Sequence, residues 1–145
     1  MSTGQPYAAV AALAFFWCGA VASISFLEAW LKFKAPGVTI PVGLSIGRRV
    51  FSALNKVEWV LAAGSAACGF LGTGGWRPGM GWLIAAIAIL LIETVWLLPV
   101  LDRRAAAYIQ GYTPPSSTIH VAFVTAELLK VGCLALAGIT ILKLL

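Results

Sequence analysis

Charge is scarce in this chain: ten basic and five acidic residues among 145, with a single histidine, His120. At 61% hydrophobic residues and a mean hydropathy of +0.95, this scarcity excludes a disordered segment, a soluble nucleic-acid-binding domain and a secreted disulfide scaffold. None of these tolerates so much apolar surface without compensating charge. Cysteine is scarcer still. Cys18, Cys68 and Cys133 stand singly inside apolar stretches, with no C-x-x-C pair, so neither a dithiol redox motif nor a zinc knuckle is available. They read as buried thiols packing like small hydrophobes. One histidine leaves bis-histidine haem ligation possible only across a dimer, and it follows no glutamate at the Glu-x-x-His spacing of carboxylate-bridged metal bundles. There is no P-loop, G-x-S-x-G or H-E-x-x-H motif, so neither ATP coupling nor familiar hydrolase chemistry is supported. No cofactor follows from the sequence.

What the chain does have is apolar length. Four stretches approach or exceed the roughly twenty residues needed to cross about 30 Å of hydrocarbon. They cover about 7–31, 54–72 (with a possible start near Val42), 82–101 and 119–142. Continuous apolar runs without period-2 alternation fit helices rather than barrel strands. The expected fold is all-α, a single domain over 1–145 built as a four-transmembrane-helix bundle. The amino end has no basic n-region, and its apolar run exceeds a signal-peptide core, so it reads as a retained helix. Between the first two helices, Thr39 is a candidate cap with Pro41 in the first turn. Gly72-Thr73-Gly74-Gly75-Trp76-Arg77-Pro78-Gly79 reads as a tight turn. The segment from Asp102 to Thr118 reads as a loop containing an Ala-rich turn and ending in a helix cap.

Basic residues set an orientation. Lys32, Lys34, Arg48, Arg49, Lys56, Arg103 and Arg104 fall on the side reached after the first and third helices, whereas Arg77 and Lys143 lie on the other. Both termini are therefore expected on the non-cytoplasmic face. The first partner of this chain is the lipid bilayer, not nucleic acid. Gly64-Ser65-Ala66-Ala67-Cys68-Gly69 offers a surface small enough for close helix approach.

Each stretch carries one glutamate: Glu28, Glu58, Glu93 and Glu127. A lone ionised carboxylate facing lipid costs a few kcal/mol even on lenient insertion scales, so the four are expected to turn inward and pair, take protons or bind a cation. Residues three, four or seven apart share a helix face. That adds Ser25 and Lys32 to Glu28, Asn55 to Glu58, and His120 and Lys130 to Glu127. The candidate ligand-binding or cation-binding set is thus Glu93 and Glu127 at the centre, with Glu58, Glu28, Lys130, His120 and Asn55 in support. Three readings use it: binding or transport of a cation or small polar substrate; a membrane enzyme with a carboxylate or metal active site; or a polar network that fixes helix packing in an accessory subunit. Four spans are few for a monomeric carrier, so a homo-oligomer or a larger membrane complex is expected.

The stretch Ser25-Phe26-Leu27-Glu28-Ala29-Trp30-Leu31-Lys32-Phe33-Lys34-Ala35-Pro36, followed by Gly47-Arg48-Arg49-Val50-Phe51 and Leu97-Leu98-Pro99-Val100-Leu101-Asp102-Arg103, resembles small uncharacterised four-helix bacterial integral membrane proteins. The resemblance implies the four-helix layout and a bacterial inner-membrane setting. It implies no activity and no site residue.

Overall fold

The computed structural model describes residues 4–72 and 75–145, which form four helical rods and, among the described residues, no strand. The first rod, α1, covers residues 4–34. It opens as an α-helix over Gly4–Val21, widens into π-helical turns over Ala22–Glu28, and tightens through Ala29–Leu31 into a 3₁₀ turn at Lys32–Lys34. Ala35 is then extended, because the ring of Pro36 disfavours helical backbone at the residue before it.

The second rod, α2, covers residues 40–71: an α-helix Ile40–Ala66 continued by π-helical turns over Ala67–Leu71. It therefore takes the earlier of the two starts open from the sequence. Thr39 has the extended backbone of a cap, but its side chain makes no capping bond; its carbonyl accepts the Gly43 N–H at 2.9 Å instead. Pro41 occupies the first turn, where its missing N–H costs nothing.

The third rod, α3, is the one that departs from expectation. It runs over Met80–Ile109, continuing past 101 through residues that read as loop and Ala-rich turn. Pro99 does not end it, because π-helical turns over Glu93–Leu97 precede a fresh α-helical start at Leu98, and Pro99 falls in that first turn. There the backbone tolerates a residue with no donor. The rod ends beside Gly111 at φ +86°, a left-handed position that suits glycine. The last rod, α4, covers Ile119–Leu142. In the turn expected over 72–79, Thr73 and Gly74 lie outside the described residues. Gly79 opens α3 at φ +92°, and a Cβ there would meet the Ile141 side chain and the Ala137 carbonyl, so only glycine fits.

The rods close into a ring in which α1 packs on α2 and α4, while α3 packs on α4 and, through its later half, on α2. The buried positions of α3 are Met80, Leu83, Ala86, Leu90, Glu93 and Leu97; those of α4 include Phe123, Glu127, Lys130, Leu134, Ala137 and Ile141. Steps of three and four are the seam of a near-parallel helix bundle. The ionisable residues thus occupy core positions that leucine would otherwise fill. Gly64 lies against Leu13 of α1, and Gly69 lies under Met80 of α3, as a close-packing surface requires.

The outside of the ring is greasy. Val60, Val95, Trp96, Leu128 and Leu129 are all more than half exposed, far more apolar surface than a water-soluble monomer presents. The helices over Gln5–Lys34, Met80–Ile109 and Ile119–Leu142 are long and apolar enough to cross a membrane. α2 is long enough, at about 48 Å, but Arg48, Arg49, Asn55, Lys56 and Glu58 make it more polar than the other three.

Candidate functional site

Lys130, fully buried on α4, is the hub of the core. Its ammonium lies 2.5 Å from Glu58 Oε1 of α2, 2.5 Å from Glu93 Oε2 of α3 and 3.2 Å from Glu127 Oε2 one turn back on its own helix. The three carboxylates are at most 3% exposed. α1 contributes Trp17, whose indole Nε1–H donates to Glu58 Oε1 at 2.8 Å. All four rods therefore meet at one polar centre inside an otherwise apolar core.

The centre is only partly satisfied. Glu93 Oε1 has no hydrogen-bond partner, and Glu127 Oε2 lies in charge contact with Lys130 without closing a hydrogen bond. The Ser25 hydroxyl sits near the Glu127 carboxylate, also without closing a hydrogen bond. Three carboxylates around one ammonium leave two negative charges over if every group is ionised. Such an excess in a low-dielectric interior demands protons or another cation. The three glutamates place carboxylate oxygens within 4.8 Å of one another, a donor set suited to a hard cation. Lys130 stands among those oxygens, so a metal ion at that point would have to share them with the ammonium or displace it.

A second polar layer flanks the cluster. Thr94 Oγ1 accepts from Asn55 Nδ2 at 2.8 Å and from Trp59 Nε1 at 3.0 Å, and donates to the Leu90 carbonyl at 2.7 Å. The π-helical register beginning at Glu93 brings Thr94 into this layer while Glu93 faces Lys130. Wide turns of this kind recur at functional sites because they re-aim neighbouring side chains.

Beyond this layer a cavity of about 820 Å³ opens toward the ends of the rods that carry Lys32 and Asp102. Ser25, Asn55 and Thr94 line its inner end; Phe26, Trp30, Phe51 and Phe123 form aromatic walls; Lys32, Arg48, Asp102 and His120 stand toward its mouth. The volume is that of a small-molecule site. No family model, curated protein or solved structure matches this chain.

Of the candidate residues, Glu58, Glu93, Glu127 and Lys130 converge. Asn55 stands one layer away, bound to Thr94. Glu28 does not join. It is partly exposed and pairs with Lys32 at 3.2 Å, because a lysine four residues on is the nearest counter-charge along the same helix face. His120 is exposed near the cavity mouth; seven residues from Glu127, it lies about 10 Å away along the axis. Trp17 and Thr94 were not among the candidate residues. A Trp too deep for the membrane interface and a lone hydroxyl in an apolar run were their only sequence signals.

Proposed function

We propose that the chain is a four-span protein of a bacterial inner membrane, with both termini outside the cytoplasm, whose central cluster binds or moves a cation or a small polar substrate. The cavity is the approach to the cluster, and an oligomer is the working form. One observation carries the reading: three buried carboxylates share a single ammonium, and Glu93 Oε1 has no hydrogen-bond partner. A network selected only for packing would be expected to close its hydrogen bonds; this one keeps acceptor capacity and charge to spare. Entry of a cation or a proton-donating substrate would neutralise that excess. Lys130 sets the affinity by competing for the same oxygens.

Glu93→Gln and Glu127→Gln test this. With the protein in proteoliposomes, each variant should retain its helical circular dichroism and assembly while abolishing proton or cation uptake, read by an internal pH dye and by isotope counting across a panel of monovalent and divalent cations. Wild-type protein with no uptake, and with no cation-dependent change in stability, would defeat the proposal. The alternative is that the cluster is a packing device for an accessory subunit. It is favoured by the way Trp17, Glu58, Glu93, Glu127 and Lys130 tie all four rods together. It predicts loss of assembly, not of uptake alone, in the same variants.

A further inference from the structure

On the outer flank of α2, away from the Lys130 cluster, Ser45, Arg49, Ser52 and Lys56 line an open cleft of about 640 Å³, with Arg48, Ala53 and Asp102 of α3 at its wall. The spacing of four, three and four residues places the first four on one face of the helix. Arg48 is committed elsewhere: its guanidinium donates to both Asp102 oxygens, at 2.6 and 2.9 Å. Arg49 and Lys56 are exposed and, among the described residues, make no ion pair or hydrogen bond. Once Asp102 is matched by Arg48, two positive charges remain in the cleft. Arg49 and Lys56 stand about 10 Å apart along the helix axis. Their long side chains can converge over Ser52, whose hydroxyl offers a third donor.

Two unpaired cations and a hydroxyl on one helix face, lining one open cleft, are the donors that phosphate takes. The location favours one source. The cleft lies on the side of the bundle that also carries Lys32, Lys34, Arg103 and Arg104, beside helices that present apolar side chains outward. Here a phosphodiester headgroup can reach Arg49, and the Lys56 side chain can extend toward it from two turns deeper on α2, while the lipid's acyl chains lie along the exposed apolar flank. We infer that Arg49, Lys56 and Ser52 form a binding site for a phosphate-bearing anion, supplied by an anionic phospholipid or by soluble phosphate. The cleft adjoins the mouth of the cavity, with which it shares Arg48, Ser52 and Asp102, but none of its donors belongs to the Lys130 cluster.

The test uses the full chain in neutral detergent. Its thermal stability is titrated with phosphatidylglycerol, with phosphatidylcholine and with inorganic phosphate. Phosphatidylglycerol should raise the melting temperature at concentrations where phosphatidylcholine does not. Each cation near a membrane surface contributes about fivefold, so the double variant Arg49→Gln/Lys56→Gln should need about thirtyfold more lipid for half-saturation. Arg77→Gln/Lys143→Gln, which removes equal charge at the other end, should match wild type. A shift with inorganic phosphate alone, lost in the Arg49/Lys56 variant, assigns the site to soluble phosphate. If the double variant does not fold, Ser52→Trp, which fills the cleft and keeps both charges, should weaken binding in its place. No anion-dependent shift in wild type, or an unchanged midpoint in the variants that fold, overturns the site.

Discussion

The two ends of the bundle are built to opposite rules. Toward the termini the interior is dry and tight: Val10, Leu83, Leu134, Ala137 and Ile141 are fully buried, and Gly79 fits against Ile141 with no room for a methyl group. Toward Lys32 and Asp102 the rods part around a cavity of about 820 Å³, with the charged cluster between the two regimes. Apolar packing holds one end, through close contact between side chains. Complementary charge holds the middle, and the far end is left open to solvent or ligand.

Lys130→Met strikes the charged middle hardest. Removing the hub leaves three buried carboxylates without a counter-ion and should cost about 3–5 kcal/mol, read by unfolding in detergent followed by circular dichroism. Adding Glu58→Gln and Glu93→Gln should recover much of the loss. If neutralising the carboxylates rescues nothing, the cluster is not the electrostatic centre of the molecule. In the dry half, Leu83→Ala should cost less, about 2 kcal/mol, since in lipid a cavity forfeits packing but little transfer energy. That loss should be the same at low and high salt. Smallest of all is Arg48→Gln. The Arg48–Asp102 pair is 38% and 49% exposed on its two sides, so its removal should cost under about 1 kcal/mol and less still at high salt. A larger loss would show that α2 and α3 are clamped at the open end rather than free to part.

Scarcity made the centre of the site legible. In a chain with five acidic residues, a glutamate in each apolar stretch stands out, and a lysine three residues after Glu127 marks its own partner. Which way each side chain turns was harder to read. A helix that is apolar on nearly every side has little amphipathic contrast to orient it. The alternating steps through Leu83, Ala86, Leu90 and Glu93 become decisive only once their burial is known. Glu28 illustrates the limit: its residue type matches the other three, yet it lies only four residues from Lys32, which captures it on the same helix. The continuation of α3 past Leu101 was hidden for a different reason: Asp102, Arg103 and Arg104 interrupt the apolar run just after Pro99.

The Tyr7 hydroxyl donates to the Pro78 carbonyl, so the first rod is stitched directly to the turn that Gly79 pins against α4. A joint fastened there behaves like the rivet of a pair of tongs. To part the rods at that end would break this joint and the contacts of Gly79 with Ile141, whereas at the other end Phe26, Phe51 and Phe123 line a space already open.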